Sequence, residues 1–91
     1  MSAGHITQGI RRYEIDKETN MPSESRPGNY WKVEDGTFLA ITPSGDMGWL
    51  RLHKVTEHPD GTITVEPSIL VSDTVKTLWH GYLERGVWRE V

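Results

Sequence analysis

Apolar and polar residues alternate along this chain in short runs with a period of two. The clearest case is Thr62-Ile63-Thr64-Val65-Glu66. It predicts a strand with Ile63 and Val65 facing a core and the threonines and Glu66 facing water. Gly48 to Val55 alternates as well. Leu50, Leu52 and Lys54 share one face, and Trp49, Arg51, His53 and Val55 share the other, which predicts one strand with a buried and a wet side. Ile10 to Ile15 reads as a first strand, with Ile10, Arg12 and Glu14 on one face and Arg11, Tyr13 and Ile15 on the other. Tyr30 to Glu34 and Thr37 to Thr42 form a hairpin around Asp35-Gly36, a dipeptide suited to tight turns. Trp79 to Leu83 and Val87 to Val91 form a terminal hairpin over Glu84-Arg85-Gly86, with Gly86 suited to a positive φ.

Turn clusters separate these runs at Pro43-Ser44-Gly45-Asp46 and His58-Pro59-Asp60-Gly61. Pro67 cannot donate to a ladder, so it marks a strand end, an edge or a bulge, with Ser68 to Ser72 as a short strand beyond it. Ser72-Asp73-Thr74 has the look of a helix cap. Thr74, Val75 and Thr77 are poor helix formers, so residues 74–79 read as a loop. Residues 16–29, broken by Pro22, Pro27 and Gly28, read as one long loop of the kind that is often functional or mobile. Residues 1–9 read as a flexible N-terminus and residues 10–91 as a single β domain. With about seven or eight short antiparallel strands and frequent turns, the expected fold is all-β: a small sandwich, roll or partly open barrel.

Composition narrows the function classes. A chain of 91 residues is one domain with one modest core, and four tryptophans can supply either core area or a binding surface. The net charge of -3 argues against binding to duplex nucleic acid, which needs a basic stripe. The chain has no cysteine, which removes disulfides, thiolate metal ligands and a Cys nucleophile. No run is long enough for a membrane-spanning helix. Met1 to His5 lacks the basic and apolar regions of a secretory signal, so a cytosolic location is the default.

Glu66-Pro67-Ser68-Ile69-Leu70-Val71, a break, and Trp79-His80-Gly81-Tyr82-Leu83-Glu84-Arg85-Gly86-Val87-Trp88 resemble the C-terminal pattern of small phage-encoded proteins of unknown function, the DUF6527 type. In that family a Pro-Ser-Ile/Leu strand precedes a His-Gly/Ser-aromatic-aliphatic run, a short turn and Gly. The resemblance covers about a third of the chain. It implies a small β fold, a phage or prophage origin and hence the cytoplasm of an infected bacterium, but no activity. Many relatives carry cysteines in a zinc-ribbon-like arrangement, which this chain lacks, so no metal carries over. Ser68 and His80 are the positions marked by analogy.

The candidate chemistry is sparse. His5, His53, His58 and His80 show no ligand spacing, so neither a metal nor another cofactor is expected. Ser68 and His80 make a nucleophile–base pair if their strands meet, with Asp73 to orient the imidazole, although no nucleophile elbow is present. Arg11, Arg12, Arg51 and His53 are candidates to gather on one wet sheet face, and Trp31, Trp49, Trp79 or Tyr82 offer stacking surface. The candidate ligand site is therefore Arg51 and His53 on phosphates, Trp49, Trp79 and Tyr82 as stacking platforms, and His80 as a hydrogen-bonding group. No catalytic residue is assigned. The expected function is a non-enzymatic binding or accessory protein. It is expected to sequester a small nucleotide-like ligand or occupy a host protein, with counter-defence as the role implied by the resemblance, and homo-oligomers are compatible with its edge strands. The alternatives are a small hydrolase or metal-dependent enzyme using His80 and His53, and a minor virion structural protein.

Overall fold

Tyr30-Trp31 and Phe38 to Ile41 are unbroken apolar runs because their sheet is buried on both faces. This is seen in a computed structural model that describes residues 5–91. Met1 to Gly4 lie outside the described residues, and with them most of the segment read as lacking a signal.

Eleven strands follow one another among the described residues: β1 Ile6–Gln8, β2 Ile10–Arg12, β3 Ile15–Asp16, β4 Met21–Pro22, β5 Asn29–Lys32, β6 Phe38–Ile41, β7 Met47–Trp49, β8 Lys54–Glu57, β9 Ile63–Ser72, β10 Thr77–Glu84 and β11 Val87–Glu90. There is no helix among the described residues, and so none able to cross a membrane. The strands form a five-stranded sheet, β1-β11-β10-β9-β8, a four-stranded sheet, β2-β5-β6-β7, and the small hairpin β3-β4. Every pairing is antiparallel except β2 with β5. The architecture is all-β and sandwich-like, as the alternation predicts.

The main core lies between the two larger sheets. Tyr30, Phe38, Ala40 and Leu50 meet Ile63, Val65, Ile69, Trp79, Leu83 and Trp88 there. Trp79 and Trp88 cross edge to face with ring centroids 5.3 Å apart, and the Trp88 indole N–H donates to the Gly28 carbonyl at 2.9 Å. A second cluster of Trp31, Val33, Leu39 and Ile41 fills the far face of the four-stranded sheet beneath Ile15 and Met21.

That cluster corrects the reading of residues 16–29 as a plain loop. Met21 and Ile15 bring β3 and β4 down as a cover, and the Trp31 indole N–H donates to the Asn20 carbonyl at 2.7 Å. The free N-terminus expected over residues 1–9 also gives way from Ile6 onward, because β1 pairs with β11. A third correction falls on Gly48 to Val55. The alternating run is interrupted by a turn closed by the His53 amide on the Leu50 carbonyl, so β7 and β8 belong to different sheets. Leu50 is buried, but Leu52, expected on the same face, is 94% exposed. Period-two patterning cannot register a turn that falls between two strands in phase.

The turns obey their residues. Gly36 and Gly45 adopt positive φ in the predicted turns, and the terminal hairpin closes on Arg85 and Gly86, both at positive φ. Strand β9 runs straight through Pro67, which sits after a cis peptide bond. Val65 opposes Leu83 and Ile69 opposes Gly81, so four steps of β9 face two of β10. Pro67 therefore lies in a bulge, one of the three roles its chemistry permits.

Candidate functional site

The bulge shapes the outer face of the five-stranded sheet. Ile63, Val65 and Ile69 point into the core, so Thr64, Glu66 and Ser68 point outward, as do His80 and Tyr82 on β10. A groove of about 650 Å³ opens here, bounded by Lys54, Thr64, Glu66, Pro67, Ser68, Tyr82 and Glu84. Lys54 stands opposite Glu66 in the register of β8 and β9. Glu84 is held by Arg89 at 2.7 Å, and the Arg89 guanidinium lies 5.4 Å from the Tyr82 ring centre. Both partners of that pair are exposed, so it adds little to stability but fixes the side of Tyr82.

At one end of the groove His80 Nε2 lies 3.0 Å from Ser68 Oγ. His53 reaches the same segment from the other direction, its Nε2 lying 3.2 Å from the Ser68 carbonyl oxygen. An imidazole that donates from Nε2 to a carbonyl leaves Nδ1 as the acceptor, and Nδ1 of His53 is buried without a partner. His53 thus anchors the turn before β8 to the bulge. Asp73 does not orient His80. Its carboxylate accepts the amides of Val75 and Lys76, both at 2.7 Å, and those bonds hold its carboxyl below the usual range. The sequence-level trio of Ser68, His80 and Asp73 is therefore a pair.

The six candidate ligand residues divide among four places. His80 and Tyr82 share the outer sheet face. Arg51 and His53 line a separate cleft of about 450 Å³ with Lys32, Asp35, Phe38 and Glu57. Trp49 opposes Leu39 on the far face of the four-stranded sheet and is 53% exposed. Trp79, expected as stacking surface, is 3% exposed in the main core, so it offers no face to a ligand. Trp31 is likewise buried.

The expected gathering of Arg11, Arg12, Arg51 and His53 does not form. Arg11 lies between Tyr13 and Phe38, with its Cζ 4.9 and 5.1 Å from the ring centres, and Nη1 donates to Glu57 Oε2 at 2.8 Å and to the Gly61 carbonyl at 3.0 Å. Arg12 turns the other way, toward Glu24 at 3.7 Å. The hydrogen bonds from Arg11 and Lys32 hold the Glu57 carboxyl below its usual range. Arg11 is thus a structural strut, and the cleft at Arg51 contains two carboxylates beside its cations.

Among the described residues no three His, Asp or Glu side chains converge in a way that suits a metal ion. Lys54, Glu66 and Glu84 were absent from the sequence-level site. The signal for Glu66 was present in the outward phase of Thr62 to Glu66. Alternation puts Lys54 on the leucine face, because alternation does not register the turn at Leu50 to His53. No family model matches the chain, and neither a curated protein nor a solved structure is found to be similar to it.

Proposed function

We propose that this chain is a non-enzymatic binding protein and that its ligand seat is the groove at the Pro67 bulge. The carrying observation is the groove itself: a concave site on the five-stranded sheet, with Pro67 and Tyr82 as apolar surface and a few polar groups along its lining, Ser68, Glu66 and Lys54. Those side chains stand on paired strands rather than on loops, which suits a preformed site. Arg51 lines the other cleft and Trp49 lies on the far face of the four-stranded sheet, so neither bounds this groove, which supports a small ligand without the phosphate contacts expected of a nucleotide. A phage source and a counter-defence role enter only through the likeness of residues 66–88 to the DUF6527 type, and the binding reading does not depend on them.

The rival reading is a hydrolase, and the His80–Ser68 contact is the observation in its favour. A serine nucleophile needs its base oriented and its oxyanion stabilised by preorganised donors. Asp73 is engaged by its own turn, which weighs against that reading.

Native mass spectrometry of the protein purified from its source tests the proposal. The expected result is a retained small molecule that is released intact on denaturation and is absent from the Tyr82→Ala/Glu66→Ala variant. A processed ligand, or a covalent acyl group on Ser68, overturns it in favour of the hydrolase.

A further inference from the structure

The groove at Pro67 is close to electrically balanced. Lys54 faces Glu66 across β8 and β9, and Glu84 is already paired with Arg89. An anionic guest such as a phosphate meets two carboxylates here. A cationic guest meets Lys54 and competes with Arg89 for Glu84. Either charge is penalised relative to a neutral guest.

The polar groups offer both kinds of hydrogen bond. The Glu66 carboxylate accepts, the Lys54 ammonium donates, and the Ser68 hydroxyl does either. Tyr82 adds a half-exposed aromatic ring, steadied by Arg89. A neutral guest with one apolar face and a rim of hydroxyl groups satisfies all of these groups together. A sugar ring is such a guest: its C–H face lies on an aromatic ring while its hydroxyls exchange hydrogen bonds with carboxylate, ammonium and hydroxyl.

The site is also elongated. A second hollow of about 460 Å³, bounded by Thr56, His58 and Arg85, shares Thr64, Glu66 and Glu84 with the first. From Ser68 to Thr64 the trough follows at most roughly 13 Å of strand. A peptide added as an extra strand is not accommodated at Ile63 to Glu66, because β8 occupies one edge of β9, while β10 pairs along the other from Val65 to Ser72.

We infer that this trough binds an uncharged oligosaccharide, with Tyr82 as the platform under one ring and Glu66, Ser68 and Lys54 as its hydrogen-bonding partners. The inference rests on the binding-protein reading and gives its ligand a chemical class.

The test is an NMR titration of the isotope-labelled full chain with maltotriose, cellotriose and tri-N-acetylchitotriose to millimolar concentration, with adenosine and ATP as counter-probes. At least one trisaccharide is expected to shift the amides of Glu66, Ser68 and Tyr82 saturably. Tyr82→Ala is expected to weaken that binding by roughly tenfold or more while the rest of the spectrum stays that of the folded domain. Glu66→Gln, which keeps the shape of the groove, serves as a second variant and is expected to weaken it as well. Saturable shifts by adenosine at the same amides, with none by the sugars, overturn the saccharide assignment but leave the binding-protein reading standing. If no trisaccharide shifts these amides, or if both variants bind as the parent does, the inference fails, and the mass-spectrometric test still judges the broader reading separately.

Discussion

His80 and Ser68 touch although they are not register partners: the imidazole Nε2 is 3.0 Å from the hydroxyl, while the backbone of His80 pairs with Leu70. The contact is diagonal across β9 and β10, a reach that suits a long side chain meeting a short one. It ties the bulge of β9 to β10 beside it.

If that contact is a structural brace, removing it has a small and defined cost. His80→Ala and Ser68→Ala are each expected to lower stability by about 1 kcal/mol, because water replaces part of a half-exposed hydrogen bond. The parent is expected to gain no mass on treatment with a fluorophosphonate. Urea unfolding and intact-mass measurement check both points. A label on Ser68 that disappears in His80→Ala would show an activated serine and reverse the assignment.

The tryptophans provide an optical check of the fold. Trp31, Trp79 and Trp88 are buried, and Trp49 alone is open to solvent on edge strand β7. Iodide is therefore expected to quench a single component of the fluorescence, and Trp49→Phe is expected to remove that component with little loss of stability. Two or more accessible components in the folded parent would contradict the placement of Trp79 and Trp88 in the core.

Much of this arrangement is legible in the sequence, and the unread parts share a cause. Ile63 and Val65 alternate with Thr62, Thr64 and Glu66, and both are buried. Asp35-Gly36 and Arg85-Gly86 turn where turn chemistry says they should. Leu52 and Trp79 show the limit. Alternation assigns a phase along one strand, but not where a turn interrupts it nor which face a second sheet will cover. For the same reason Arg11 read as a free cation, since its partners Glu57 and Gly61 lie far along the chain. The groove depends on the two-residue mismatch between β9 and β10. Pro67 announced a bulge as one option, but the side chains it gathers come from β8, β9 and β10 and have no common sequence signature.

Gly81 is held by sterics rather than by a turn. A Cβ built there collides with the Arg89 carbonyl oxygen and lies 2.9 Å from Glu90 Cα, and Trp79 Cη2 is also in contact with it. Two of these atoms are backbone of β11 and cannot rotate aside. Gly81→Ala is expected to cost about 3 kcal/mol, the upper end for overpacking a close-packed site. Gly48→Ala is the control, since its Cβ meets only Val71 Cγ2 at 3.9 Å, and it is expected to change stability by less than about 1 kcal/mol. Chemical denaturation of the two variants distinguishes them, and equal losses would contradict the packing of β10 on β11.

Acid sensitivity is expected to run partly through Glu57. Hydrogen bonds from Arg11 and Lys32, at 2.8 and 3.3 Å, favour its charged form, so its folded pKa lies below its unfolded one. A carboxyl shifted down stabilises the fold fully above the unfolded pKa, near about 4.3, and loses that contribution as pH falls through the folded value. Glu57→Gln is therefore expected to melt below the parent at neutral pH, with the gap closing as the solution is acidified below about pH 4. Its contribution should also shrink with added salt, because the carboxylate is exposed and Lys32 is a screened partner. Thermal melts of the two proteins across pH and ionic strength decide this. A gap that stays constant through the acid range would mean that Glu57 acts through packing and that its charge is not what ties β8 to Arg11.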